Sequence, residues 1–250
     1  MRRMGELAMA LEGQVALVTG ASSGIGRAAA VAFARERVPV ALVSRRVAEL
    51  EQLAAEVAAA GGQAIVAPAD VSQPEQVQTA VARTLERFGR LDILVNNAGI
   101  NSKQRHFADM AQADWDRVIA IDLDACYYCI QAVLPAMRSQ GQGTIVNVSS
   151  NAGRHASLIS GVAYSAAKAG VIALSNCVNL EEWRHGIRAC ALEPGEVDTP
   201  IVMDRPVPPT DEHRATMLLP EDIAEAILFV CSLPWRASVE ELSMRPRIRR

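Results

Sequence analysis

Residues 14–26 read QVALVTGASSGIG, an apolar run of strand-forming residues that ends in a glycine-rich turn. An Ala-rich segment of helical character follows at 25–37. Glycines lack a Cβ, so they let the backbone turn sharply and approach a bound group closely. The free N–H groups and the positive dipole end of the following helix favour phosphate there. The turn therefore predicts a dinucleotide pyrophosphate site, with contacts from Gly20, Ser22, Ser23, Gly24, Ile25 and Gly26. It is not a Walker loop, because no Gly-Lys-Ser/Thr ends it.

Short apolar runs alternate with helical patterns along the rest of the chain. Apolar runs without polar alternation are typical of parallel strands that helices cover on both faces. We therefore expect an α/β fold, a single Rossmann-like doubly wound parallel sheet with helices on both faces. No internal repeat or interdomain linker is visible, so one domain should fill residues 13–250 after a flexible N-terminal extension at 1–12. The predicted strands are 14–19, 38–43, 63–67, 91–95, 144–148 and 187–192, with 239–244 as a candidate last strand.

The composition excludes several classes of protein. Of the 250 residues 50% are apolar and 21% are charged, which is the balance of a packed globular protein. A net charge of −3 gives no basic field for nucleic acid or acidic lipid. No apolar run approaches the roughly 20 residues of a membrane span, and no signal-peptide core is visible. The five scattered cysteines favour a reducing compartment, so we predict a cytoplasmic protein without a metal site.

Four further motifs follow the glycine turn in order: Asn96-Asn97-Ala98-Gly99, Ser149-Ser150, Tyr164-Ser165-Ala166-Ala167-Lys168, and Pro194-Gly195 with Thr199. With these motifs the chain resembles the short-chain dehydrogenase/reductase family over about residues 13–232. The resemblance implies an oxidoreductase that uses a nicotinamide dinucleotide and assembles as a homo-oligomer, a dimer or tetramer. It also implies the remaining contacts: Asp70 and Val71 flank the adenine, Asn97, Ala98 and Gly99 line the adenosine ribose side, and Pro194, Gly195, Val197 and Thr199 hold the carboxamide.

The type of dinucleotide follows from charge at the end of the second predicted strand. An acid about 20 residues past the glycines commonly binds the ribose 2′-hydroxyl of NAD. This chain has Ser44-Arg45-Arg46 there, and its nearest acid, Glu49, is one helical turn further on. Arginine can pair with a 2′-phosphate, which a carboxylate would repel. We therefore predict NADP(H), with Arg45 preferred over Arg46 as the phosphate ligand and NAD(H) as the alternative cofactor.

Tyr164 and Lys168 are four residues apart in a predicted helix at 164–183, so they share one face. A free phenol has a pKa of about 10, and a nearby ammonium lowers it. Such a tyrosine can give a proton to a carbonyl or take one from an alcohol. Ser150, at the end of the fifth strand, would bond the substrate oxygen, with Ser149 as the alternative. The resemblance also has Lys168 bind the nicotinamide ribose.

Asp122 departs from the family, which commonly has an asparagine at this place in the central helix. A buried carboxylate needs a partner, and Lys168 is the candidate. If the two pair, the effect of the ammonium on Tyr164 is partly offset, so we expect reduced activity with an altered pH profile. The alternative function is a cofactor-binding sensor or scaffold with weak or no catalysis. A hydrolase that uses Ser150 is disfavoured, because no Gly-x-Ser-x-Gly elbow surrounds it.

The substrate should be a small-molecule carbonyl or alcohol. Its walls are expected at 100–107, 151–162 and the Pro-rich substrate loop 201–219, because these segments follow predicted strands. His106 and His155 fall in two of these walls and are further candidates for substrate contact. These segments contain no cluster of charged residues that would indicate a particular substrate. The pair Cys126 and Cys129 fits a packed helix face better than metal or redox chemistry.

Overall fold

The computed structural model describes residues 11–248. Seven parallel strands form one sheet in the order β3-β2-β1-β4-β5-β6-β7. This confirms the predicted doubly wound α/β fold, and each of the seven predicted strands is present. The strands are β1 Ala16–Thr19, β2 Val40–Val43, β3 Ala64–Val66, β4 Ile93–Asn96, β5 Gly143–Val148, β6 Ile187–Pro194 and β7 Glu241–Met244.

Helices cover both faces of the sheet. They are α1 Gly24–Arg35, α2 Val47–Ala59, α3 Pro74–Phe88, α4 Gln112–Ile119, α5 Ala125–Gln140, α6 Val162–Glu182, α7 Asp211–Arg214 and α8 Pro220–Cys231. Because side chains alternate across a strand, β1 serves two cores. Ala16 and Val18 pack with α1, α2 and α8, whereas Leu17 packs with α3, α5 and α6.

The sheet reverses its order between β1 and β4, and the side chains at that point bind the two strands together. The hydroxyl of Thr19 accepts hydrogen bonds from the backbone N–H groups of Asn97 (3.0 Å) and Ala98 (3.1 Å). The Asn97 amide donates in return to the carbonyl of Thr19 at 3.0 Å. Ligands bind at the carboxyl ends of strands where such an order reverses, so this edge carries the candidate site.

Two details differ from the sequence-based expectations. Leu11 falls within the predicted extension 1–12, yet it is fully buried in the core, so packing begins before residue 13. Residues 1–10 lie outside the described residues. The substrate loop 201–219, expected to be irregular, contains a short helical turn, Pro200–Asp204, and the helix α7. Its prolines interrupt regular structure only between these two elements, because proline is tolerated at the first helical position.

The longest continuous helical stretch runs from Gln112 to Gln140. A π-helical turn, Ala120–Asp124, joins α4 to α5 within it. By length and composition alone this is the one stretch in residues 11–248 that could cross a membrane. Its buried side chains, among them Val133 and Met137, pack on the sheet as those of a core helix do.

Candidate active site

A cleft of about 560 Å³ opens along the carboxyl ends of the strands. It extends from the glycine turn, past the ends of β4 and β5, to the first part of the substrate loop. The structure brings together every predicted cofactor contact except Gly26, together with Ser150. The predicted residues that line it are Gly20, Ser22, Ser23, Gly24, Ile25, Arg45, Arg46, Asp70, Val71, Asn97, Ala98, Gly99, Ser150, Tyr164, Lys168, Pro194, Gly195, Val197 and Thr199.

The glycine turn has the close backbone packing that its sequence predicts. Gly20 and Gly24 adopt φ values of +64° and +53°, where side chains are strained. A Cβ on Gly26 would lie 2.5 Å from both the carbonyl oxygen of Gly20 and the amide nitrogen of Asn97. Gly26 therefore packs behind the turn and does not line the cleft, and its contact with a cofactor stays a prediction.

The two arginines after β2 lie at the same end of the cleft but differ in their contacts. Arg46 donates to the hydroxyl of Ser22 at 2.8 and 3.0 Å and to that of Ser23 at 2.7 Å. Among the described residues Arg45 pairs only with Asp70, with 3.6 Å between guanidinium and carboxylate. Both side chains are about half exposed or more. The geometry therefore places Arg46, rather than Arg45, directly beside the glycine turn.

Asp70 lies at the rim of the cleft and is held as a carboxylate. Burial acts to raise its pKa. Two hydrogen bonds from Ser72 (3.0 and 2.7 Å) and the charge of Arg45 outweigh that effect, so its pKa is lowered. Asp70 therefore draws Arg45 away from the glycine turn, which explains why the two arginines differ.

Tyr164 and Lys168 lie on the same face of α6, as predicted. The Lys168 ammonium nitrogen is 5.4 Å from the centre of the Tyr164 ring and donates to the carbonyl of Val148 at 3.1 Å. The two neighbouring serines differ in what they contact. The Ser149 hydroxyl is buried and donates to the carbonyl of Lys168 at 2.7 Å, which fixes β5 against α6. The Ser150 hydroxyl accepts from Ala152 N–H at 3.1 Å, and its hydrogen bond with Tyr164 acts to lower the tyrosine pKa.

Asp122 and Lys168 form a buried ion pair behind the cleft. The carboxylate oxygen Oδ2 lies 3.3 Å from the ammonium, and Oδ1 accepts the backbone N–H of Ile100 at 2.8 Å. Both side chains are almost fully buried. The π-helical turn holds Asp122 here, and such turns are frequent at functional sites. A cavity of about 10 Å³ lies beside the pair, with Asn96 and Thr19 also in its wall.

Burial and the ion pair set the charges of these groups. Burial acts to lower the pKa of Lys168, but Asp122 and the phenolate form of Tyr164 oppose it, and the pKa is raised. Burial also raises the pKa of Asp122, against the attraction of Lys168. The pKa of Tyr164 is raised by burial and by Asp122, although Lys168 opposes both. Lys168 therefore acts to lower the tyrosine pKa, as expected, but in the protein alone burial and Asp122 outweigh it.

Some site residues were missed by the sequence analysis. Ser44 hydrogen-bonds Ser22 at 2.8 Å, and Ile121 lines the cleft from the π-helical turn. Arg105 falls inside the predicted wall 100–107, but its burial gave no sequence signal, because arginine in a loop is usually exposed. A buried polar chain, Asn96 to Asn147 to Ser175, lies behind Lys168 with both links at 2.9 Å. It could have been suspected from asparagines inside apolar strands.

The three predicted substrate walls contribute unequally. Residues 100, 101 and 105 line the cleft from the first wall, and residues 151, 152, 157, 159 and 160 line it from the second. The substrate loop lines it only at 201, 202, 204 and 205. His106 and His155 are exposed and do not line the cleft, so neither is in place to contact a ligand there. Cys126 and Cys129 pack in the core, and burial raises the pKa of the Cys126 thiol to about 12.

Known proteins share both this sequence and this architecture. The short chain dehydrogenase family profile matches residues 14–208. An uncharacterised oxidoreductase of Staphylococcus saprophyticus is 36% identical over 238 residues, which cover 94% of this chain and 98% of the relative. The solved alcohol dehydrogenase of Thermococcus sibiricus, in complex with 5-hydroxy-NADP, superposes with a TM-score of 0.85 at 31% identity and 95% and 98% coverage. The 3-ketoacyl-(acyl-carrier-protein) reductase of Brucella melitensis, in complex with NADH, gives the same four values.

The fold and the motifs thus define a dinucleotide-binding oxidoreductase class. The chain belongs to the short-chain dehydrogenase family.

Proposed function

We propose that this protein is an NADP(H)-dependent oxidoreductase that interconverts a carbonyl and a secondary alcohol. One observation carries the proposal: Tyr164, Lys168 and Ser150 line the same cleft as the glycine turn. The reacting tyrosine and the predicted pyrophosphate site therefore belong to one continuous space. A sensor or scaffold that only binds a dinucleotide would not need a half-buried phenol in that space.

The residues at the glycine turn fit a dinucleotide. Gly20 and Gly24 leave a cradle that Cβ atoms would fill, and the start of α1 presents unpaired N–H groups. No acidic residue lies in the first turn of α1 to repel a phosphate. Arg46 and Arg45 add two cations, which support the 2′-phosphate of NADP(H) over the free hydroxyl of NAD(H). Relatives in complex with 5-hydroxy-NADP and with NADH support a nicotinamide cofactor of either kind.

The side chains of this chain then manage one proton and one developing charge. The bound nicotinamide supplies or accepts the hydride. In reduction Tyr164 gives its phenolic proton to the carbonyl oxygen, and in oxidation it takes the proton back from the alcohol. Ser150 donates a hydrogen bond to the same oxygen as its negative charge grows. Lys168 remains an ammonium because Asp122 pairs with it, and its charge favours the phenolate of Tyr164.

The test is a carbonyl panel followed by NADPH absorbance, with Tyr164→Phe as the decisive variant. Phenylalanine keeps the ring but removes the proton, so the rate should fall by about 10²–10⁴-fold. NADPH binding should stay unchanged. The matched control is Tyr127→Phe, which removes an exposed phenol on α5 outside the cleft. It should leave the rate unchanged.

Other results would contradict the assignment. Equal rates in Tyr164→Phe and the parent protein would exclude the tyrosine mechanism. Tight NADPH binding without turnover of any carbonyl or alcohol would favour the sensor or scaffold instead. A cytoplasmic location and a homo-oligomeric assembly also remain predictions, testable by fractionation and by light scattering.

A further inference from the structure

Arg105 is a buried cation in the wall of the cleft, with only 2% of its surface exposed. Its guanidinium donates to three backbone carbonyls: Ser102 at 2.8 Å, Ile159 at 2.6 Å and Asp204 at 3.0 Å. These carbonyls belong to three different segments, which follow β4, precede α6 and follow β6. Each carbonyl lies in one of the three predicted substrate walls, 100–107, 151–162 and 201–219. One side chain therefore ties all three together.

Within residues 11–248, no carboxylate lies within ion-pair distance of Arg105. Burying a charge is costly unless polar groups replace the lost water. Burial acts to lower the pKa of this arginine, and the neighbouring cation Arg205 adds to the effect. The three carbonyl dipoles and the charge of Asp204, which acts to raise the pKa of Arg105, stabilise the cation in this position. A planar guanidinium has five N–H donors in a fixed, forked arrangement, which can reach three separate carbonyls. A lysine ammonium cannot reproduce that arrangement.

The backbone of Arg105 is equally tied to the helix that carries Tyr164. Its carbonyl accepts the N–H of Val162, in the first turn of α6, at 3.0 Å. A Cβ on Gly161 would lie 2.4 Å from the Arg105 Cβ, so the two segments touch without room for a side chain. Asn101 adds a bond of 2.9 Å to the carbonyl of Ser160. The start of α6 thus packs directly on Arg105. The contact is made at Val162, which is two residues before the proposed acid/base Tyr164.

We propose that Arg105 is a positioning residue that fixes the substrate walls relative to Tyr164. Its side chain holds the turn Pro200–Asp204 to the segment before α6, and its backbone holds the start of that helix. This proposal rests on the function proposed above, because it concerns the substrate half of the same cleft. The dinucleotide half, at the glycine turn, makes no contact with Arg105 and should not depend on it.

The test compares Arg105→Gln, Arg105→Lys and the control Lys103→Gln, which removes an exposed cation from the same loop. Hydrogen exchange would follow peptides that cover 157–162 and 200–206. NADPH affinity would report on the dinucleotide half of the cleft. Steady-state kinetics with a carbonyl from the panel would report on the substrate half. Arg105→Lys keeps the charge but not the fork, so it also serves if Arg105→Gln fails to fold.

We expect faster hydrogen exchange in both peptides for Arg105→Gln and Arg105→Lys. In Lys103→Gln the exchange of both peptides should match that of the parent protein. Looser walls bind the substrate less well, so kcat/KM should fall by about tenfold or more, mainly through a higher KM. NADPH affinity should stay within about twofold of the parent, because phosphate contacts provide the binding at the other end.

Two results would overturn the proposal. The first is unchanged exchange in both peptides in a folded Arg105→Lys variant. The second is full kinetic rescue by Arg105→Lys, which would mean that the charge and not the fork matters. A parent protein that turns over no substrate would instead refute the proposed function. The exchange data would still decide whether Arg105 holds the walls.

Discussion

The carboxylate of Asp122 lies 3.3 Å from the ammonium of Lys168, and both side chains are almost fully buried. Gly99 packs against this pair, and a Cβ there would lie 3.1 Å from the carboxylate and 3.3 Å from the ammonium. A pair of opposite charges acts on Tyr164 more weakly than the lysine alone would. The expected pairing of Asp122 with Lys168 is therefore present, and it gives the pH dependence of the proposed reaction a definite direction.

Replacing Asp122 with Asn should shift the pH profile of alcohol oxidation to lower pH. Oxidation needs the phenolate, so its rate rises with pH through the pKa of Tyr164. Burial raises that pKa first, Lys168 lowers it, and the charge of Asp122 raises it again. Asparagine removes the last effect, so the midpoint should fall. The measurement is kcat/KM for oxidation over a pH range that extends above the ordinary phenol pKa of about 10.

Asp124→Asn is the control, because this acid lies in the same π-helical turn without an ion pair to Lys168. Its profile should match that of the parent. An unchanged profile in Asp122→Asn would remove Asp122 from the proton chemistry and leave it a purely structural partner of the lysine.

The arginines after β2 should set the preference for NADPH over NADH. A charge-assisted hydrogen bond contributes about 1.5–3 kcal/mol, so Arg46→Gln should weaken NADPH binding by about ten- to hundredfold. NADH has no 2′-phosphate, so its affinity should change little. Arg45→Gln should have the smaller effect, because Asp70 holds that side chain away from the glycine turn. Fluorescence titration with both nucleotides measures the two affinities.

The control for these variants is Arg35→Gln, at the far end of α1, which should leave both affinities unchanged. If Arg45→Gln is the more damaging variant, the original sequence-based choice of Arg45 is right. If neither variant separates NADPH from NADH, the charge argument fails and NAD(H) becomes the better prediction.

Gly26 should tolerate no side chain, although its backbone conformation is an ordinary one. In Gly26→Ala the new methyl group would meet the carbonyl oxygen of Gly20 at 2.5 Å, and backbone atoms cannot give way cheaply. We expect loss of NADPH affinity together with a lower melting temperature. Gly61→Ala is the comparison, because its φ of +80° is strained but nothing lies near its Cβ. It should cost about 1–2 kcal/mol of stability and leave NADPH affinity intact. Equal affinity in both variants would contradict the packing argument.

The sequence was sufficient for the architecture and for most of the candidate site. Apolar strand runs predict the sheet because a strand buried on both faces must be apolar throughout. Motifs at strand ends, such as Asn97 after β4 and Ser150 after β5, are brought together by parallel topology alone. The strand runs and the motifs at strand ends depend only on the order and spacing of residues along the chain, which can be read directly from the sequence.

The rest depends on three-dimensional contacts that no local pattern encodes. The choice between Arg45 and Arg46 turns on Asp70, which belongs to a different loop. The place of Gly26 behind the glycine turn depends on Asn97, 71 residues further along the chain. The pKa of Tyr164 is raised mainly by burial, while the charges of Lys168, Asp122 and Arg105 and a hydrogen bond with Ser150 also act on it. The sequence indicated only Lys168 and Asp122 among these causes.

Arg188 should be important for stability, although it lies far from the cleft. Its guanidinium donates to the carbonyls of Leu233 (2.9 Å) and Pro234 (3.0 Å) and to the hydroxyl of Thr144 (3.1 Å), so it closes the chain after α8 onto β5 and β6. Arg188→Ala would strand these partly buried acceptors, each at about 1–3 kcal/mol where water cannot replace the donor. We expect the free energy of unfolding to fall by about 2–4 kcal/mol in urea. The control Arg236→Ala removes an exposed arginine from the segment after α8 and should change the free energy of unfolding by less than about 0.5 kcal/mol. A stable Arg188→Ala protein with unchanged NADPH affinity would show that water satisfies these carbonyls, and that the segment after α8 is held by its apolar contacts instead.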